Sequence, residues 1–322
     1  MGSGSWSTNV YDAAASYRAA TGASAFAYSD GGATAVHDDL NPFGVTVRES
    51  RDGDEHPDSV AIAVLFDVTG SMGNVPRTLQ SKLPGLLGLL MRKGYVEHPQ
   101  ILFGAVGDAT CDRAPLQIGQ FESDNRMDDD LGKILLEGGG GGQMTESYEL
   151  AMYFMARHTA MDCLDKRGRR GYLFLIGDEL AYPKVKKREV GKVIGDELTE
   201  DIGVAEIVAE LKLKYDVYFI IPEGSYNSGD DRLADFWRTH LGQNVIRLDD
   251  LDAVCETIAL TVGLAEDAVD LEEGLDHLRE FGSDAGGSVS RALAPLNSRR
   301  GAVSVSPTPT GLDLSDTEVT RL

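Results

Sequence analysis

Asp67, Thr69 and Ser71 stand at alternate positions in Asp67-Val-Thr-Gly-Ser71 and offer one carboxylate and two hydroxyls. All three are hard oxygen donors, suited to Mg²⁺ or Mn²⁺ rather than to zinc or copper. Gly70 is expected to let this loop curl back, since glycine takes a positive φ without steric cost. The stretch just before it, Val60-Ala-Ile-Ala-Val-Leu-Phe66, is wholly apolar. Such a run reads as a parallel strand buried on both faces, which places Asp67 at its carboxyl end. The plainer alternative is that Asp67 only caps the helix that follows.

Two further apolar runs end the same way. Ile101-Leu-Phe-Gly-Ala-Val106 leads to Asp108, and Tyr172-Leu-Phe-Leu-Ile176 leads to Gly177-Asp178-Glu179. A glycine run up to Gly142 is followed by Gln143-Met-Thr145-Glu146-Ser147 ahead of a helical pattern. In open α/β sheets the ligand sits beyond the carboxyl ends of the strands, where all these oxygens would meet.

At these residues the chain resembles the von Willebrand factor A (VWA) family, whose metal-ion-dependent adhesion site is written Asp-x-Ser-x-Ser. Thr69 stands for the first serine and keeps its hydroxyl. The resemblance covers about residues 58–265 and implies a metal held by Asp67, Thr69, Ser71, Thr145 and Asp178. Gln143 and Met144 intervene where the family has Gly-Gly-Thr, so Glu146 or Ser147 are alternatives to Thr145. Gly177 and Glu179 replace the flanks of the usual Thr-Asp-Gly. Asp108 is expected beside the ion's ligands rather than among them. The resemblance further implies that the ion takes its last ligand from an acidic residue of a protein partner. Intracellular relatives suggest an adaptor working beside a MoxR-type AAA+ ATPase.

The rest of the chain alternates strand and helix, which implies a doubly wound, mostly parallel sheet flanked by helices. Residues 1–57 read as an irregular arm, with a helix over 9–20 and a strand over 44–48. Leu79, Leu83, Leu86, Leu87 and Leu90 give one apolar helical face. Pro76 suits that helix's first turn, Pro84 is a candidate kink, and Gly85 and Gly88 are expected to approach the sheet. Further elements fall at 116–121 (strand), 127–136 (helix), 204–213 (helix), 217–221 (strand), 231–240 (helix), 244–248 (strand) and 252–262 (helix). Residues 184–201 form a charged insertion. Leu264, Ala268, Leu271, Leu275 and Leu278 fit one amphipathic helix, with residues 266–281 as a C-terminal helix. Residues 282–322 turn to Ser, Gly, Pro and Thr and are expected to be disordered.

A net charge of −22 over 322 residues argues against nucleic acid and anionic membranes as partners. No apolar run is long enough to span a membrane, and the amino terminus lacks a signal-peptide pattern. Three cysteines without Cys-x-x-Cys spacing indicate neither a disulfide framework nor a zinc site, so the cytoplasm is the expected compartment. His158 reads as a helix-surface residue, and Lys184-Val-Lys-Lys-Arg188 as the one basic cluster, a solvated loop. No P-loop, zinc-hydrolase pair or serine-hydrolase elbow is present. The chain is therefore read as a binding module and not an enzyme. The rivals are a metal-stabilised component of a viral or secretion particle, and a hydrolase using Asp67, Asp108 and Asp178 with Glu179 as base.

Overall fold

The computed structural model describes residues 7–138 and 144–303. In chain order the strands are β1 (Arg48–Ser50), β2 (Val60–Asp67), β3 (Pro99–Val106), β4 (Leu116–Ile118), β5 (Thr145–Glu146) and β6 (Thr159–Met161). They continue with β7 (Gly171–Ile176), β8 (Leu180–Ala181), β9 (Lys184–Val185), β10 (Ile202–Gly203), β11 (Tyr215–Pro222) and β12 (Val245–Leu248). The helices are α1 (Thr8–Thr21), α2 (Ala27–Asp30), α3 (Val75–Leu87), α4 (Arg126–Lys133), α5 (Tyr148–Arg157) and α6 (Asp162–Asp165). After them come α7 (Lys187–Val193), α8 (Val204–Leu211), α9 (Asp231–Leu241), α10 (Val254–Ala265), α11 (Leu271–Glu280) and α12 (Gly286–Val303).

The central sheet runs β12-β11-β7-β2-β3-β4, parallel throughout except for the β3–β4 pair. β2 is buried along its whole length because it is central and covered on both faces. Val60, Ile62, Val64 and Phe66 pack into one core with α3, α10, α11 and α12. Ala61, Ala63 and Leu65 alternate onto the other face, where α5, α8 and α9 pack. The fold is thus a mixed α/β, doubly wound sheet. Chain order reverses between β2 and β7, the crevice where such sheets place ligands.

Several expectations need correction. The strand of the amino-terminal segment is β1, not residues 44–48, because Gly44 takes a positive φ and its N–H bonds Ile194 instead. Phe26 and Leu40 of that segment are fully buried in the main core. His158 is buried, not on the surface. Its Nδ1 lies 2.9 Å from the Val45 carbonyl and its Nε2 2.8 Å from Asp196, tying this segment to α5. The helix after β4 ends at Lys133, and β4 itself ends at Ile118. A β-carbon at Gly88 would meet Arg92 and Phe281, and one at Gly85 would meet nothing, so neither glycine serves an approach to the sheet. The helix carrying Leu83 and Pro84 forms, but those two side chains lie outside the described residues.

The expected helix through Leu264 and Leu278 is broken. α10 stops at Ala265, Asp267 turns to φ 53°, and the Asp270 side chain caps α11 by accepting the Glu273 N–H. The segment expected to be disordered contains α12, where Val289 and Leu293 sit fully buried four residues apart. Its remainder, residues 304–322, lies outside the described residues. A second basic run, Lys166-Arg-Gly-Arg-Arg170, also exists. It is spent on ion pairs: Lys166 and Arg167 with Asp52, Arg169 with Glu266, Arg170 with Asp216. Among the described residues no helix is long and apolar enough to cross a membrane.

Candidate metal centre

Register brings the acids together. Asp67 at the end of β2 lies beside Val106 of β3, and Phe66 beside Ile176 of β7, so Asp108 and Asp178 emerge on either side of Asp67. Thr69 donates to Asp67 Oδ1 twice, from its backbone N–H at 2.7 Å and its hydroxyl at 2.6 Å. The Thr69 and Ser71 hydroxyls are 3.1 Å apart, and Ser71 donates to Asp178 Oδ1 at 2.8 Å. Asp67, Thr69, Ser71 and Asp178 therefore form one continuous chain of oxygens across the β2–β7 crevice. The loop turns differently from expectation. Gly70 opens a single 3₁₀ turn, and the positive φ falls at Gly73.

The other candidates sit around this chain. Thr145, on β5, meets the Tyr182 hydroxyl, which also donates to Asp108 Oδ2 at 2.9 Å. The Ser147 hydroxyl accepts the Ala109 N–H at 2.9 Å and so braces the loop after β3. Glu146 is buried and, among the described residues, one of its carboxylate oxygens has no hydrogen-bond partner; the same is true of Glu179. The residues 139–143, which carry most of the glycine run, lie outside the described residues.

Tyr148 belongs to the site too, though no sequence pattern marks it. Its hydroxyl donates to Asp67 Oδ2 at 3.2 Å, while its ring packs edge-on against Phe219 and Trp237. Gly177 makes this possible, since a β-carbon there would collide with the Tyr148 hydroxyl. Trp237 donates its indole N–H to the Glu179 carbonyl at 3.0 Å, fixing the chain just past Asp178. Asn227 was missed as well. Its backbone N–H donates to Asp178 Oδ2 at 2.9 Å, a contact no sequence pattern announces.

Burial, aided by the charge of Asp178, pushes Asp67 up to about 7 despite the bonds from Thr69. Burial raises Glu179 to about 8, with Asp67 and Asp178 adding to it. Glu146 rises to about 10, again by burial first and then by Asp67, Glu179, Asp108 and Asp112. These carboxylates are thus held near one another away from water, a costly arrangement without a cation.

The residues present fit a small divalent ion. Mg²⁺ takes one or two carboxylates and keeps several waters, and here two carboxylates and two hydroxyls line one crevice. Among the described residues, one buried oxygen each of Glu146 and Glu179 has no hydrogen-bond partner. Among the described residues no three His, Cys, Asp or Glu side chains converge to hold an ion. The fit therefore rests on a mixed carboxylate and hydroxyl set of oxygens.

No family model and no curated protein matches the sequence. Among solved structures it is similar to the pilus adhesin SpaC from Lactobacillus rhamnosus GG. That match has 9% identity over 66% of this chain and 31% of the adhesin, at TM-score 0.46. It is also similar to proximal thread matrix protein 1 from the mussel byssus, with 10% identity over 68% of this chain and 49% of that one, at TM-score 0.42. The chain spans less than half the length of either. Likenesses this distant say nothing of function or partner.

Proposed function

We propose that this chain is a VWA-type module that binds a divalent cation, Mg²⁺ or Mn²⁺, and through it an acidic residue of a protein partner. The observation that carries this reading is the unbroken chain of oxygens from Asp67 through Thr69 and Ser71 to Asp178 at the β2–β7 switch point. Asp67 and Asp178 would carry the charge opposite the ion, with Thr69 and Ser71 as neutral ligands. Thr145 is the candidate for the remaining loop ligand, with Glu146 beside it. So few charged ligands leave the ion electrophilic and able to take a further carboxylate. That chemistry serves binding rather than turnover.

The chain then works in the cytoplasm as an adaptor, with an AAA+ ATPase as the proposed class of partner. Calorimetric titration of the metal-free protein tests the first half: Mg²⁺ and Mn²⁺ bind, and Asp67→Ala abolishes both. Tighter Zn²⁺ binding that depends on a histidine or cysteine overturns the oxygen set. Partner capture in Mg²⁺, reversed by chelator and lost in Asp67→Ala, tests the second half.

A further inference from the structure

Tyr226 is the most exposed large apolar side chain among the described residues, at 88%. A lone exposed aromatic is ordinary on a protein surface. This one is held out on a braced loop beside the candidate centre. Within the loop after β11, Ser225 donates to the Pro222 carbonyl at 2.7 Å and Ser228 to the Ser225 carbonyl at 2.8 Å. The next residue, Asn227, is fastened to Asp178 by its backbone N–H and reaches Glu179 through its side chain at 3.4 Å. The ring is therefore one residue from a direct link to the proposed ligand Asp178.

Exposed aromatic side chains are among the residue types that dominate binding energy at interfaces.

We propose that Tyr226, on the loop fastened to Asp178, is the specificity-determining rim of the site. Its partner is an acidic peptide segment whose carboxylate enters the centre while a neighbouring apolar side chain packs on the Tyr226 ring. The inference rests on the metal-dependent reading above.

Short random peptides displayed on phage are selected on the full chain in Mg²⁺ and eluted with chelator. Selected sequences are expected to carry Asp or Glu beside an aromatic or branched apolar residue. The tightest peptide is then titrated into the wild type, Tyr226→Ala and Tyr226→Phe. Tyr226→Ala is expected to weaken it at least about tenfold and Tyr226→Phe by no more than about threefold. The Mg²⁺ affinity of both variants is expected to stay that of the wild type. Equal peptide affinity for Tyr226→Ala overturns the rim and leaves the metal reading standing. Peptide binding that survives both chelator and Asp67→Ala overturns the metal reading, and recovery of no chelator-eluted peptide overturns both.

Discussion

Gly177 and Tyr148 are fitted to each other: the hydroxyl that reaches Asp67 fills the space a β-carbon at Gly177 would need. Gly177→Ala is therefore expected to drive Tyr148 off Asp67 and to cost ~1–3 kcal/mol, the usual penalty of overpacking. Tyr148→Phe alone loses one hydrogen bond, about 1 kcal/mol. Combined, the two substitutions are expected to cost less than their sum, because they contend for one space. Denaturant unfolding of the three variants checks this, and strict additivity would count against the fit.

The ligand chain makes a graded prediction. Asp67→Ala and Asp178→Ala remove a full charge beside the ion and are expected to weaken Mg²⁺ more than Thr69→Ala or Ser71→Ala. Ser147→Ala is expected to leave Mg²⁺ affinity unchanged, since its hydroxyl holds the Ala109 N–H. Calorimetry on the series ranks them. A Ser147→Ala loss as large as that of Asp178→Ala would place Ser147 on the ion.

The raised acids predict the pH dependence. In chelator, the folded chain keeps protons on Asp67, Glu179 and Glu146 that the unfolded chain releases above about pH 4. More protons on the folded state means that stability falls as pH rises from about 4 through about 10. Saturating Mg²⁺ is expected to flatten this decline by supplying the missing charge. Asp67→Asn is expected to raise metal-free stability near pH 8 by ~1–3 kcal/mol. Thermal unfolding across that range decides it; a metal-free stability that climbs with pH contradicts the assignment.

How much of this was visible beforehand depended on the range of the interaction. β2, β3, β7 and β11 were legible because a strand buried on both faces must be apolar throughout, and the acids at their ends follow directly. Asp67, Thr69 and Ser71 were legible because they are near in sequence. Tyr148 and Asn227 were not, since a hydroxyl and a backbone N–H bridging from distant elements leave no periodic trace. The helix break at Asp267 was hidden because apolar spacing continues across it. α12 was hidden by its composition: a Ser-, Gly- and Ala-rich stretch needs only Val289 and Leu293 at helical spacing to dock.

That docking is itself testable. Leu293→Ala is expected to cost ~2–5 kcal/mol and Val289→Ala somewhat less, as for other buried truncations. An exposed substitution on the same helix, Arg291→Ala, is expected to cost under about 1 kcal/mol, as its pair with Asp249 lies at the surface. Equal, negligible losses would mean that α12 does not pack.

The two outermost strands of the sheet are both short, β4 of three residues and β12 of four, and α12 packs alongside β12. Little unpaired backbone is left along either flank to template a strand from another molecule. Copies of this chain crowded together in a cell therefore have poor means of stacking edge to edge. Self-association, where it occurs, falls to side chains rather than to backbone ladders, which keeps an aggregation-prone central sheet from propagating.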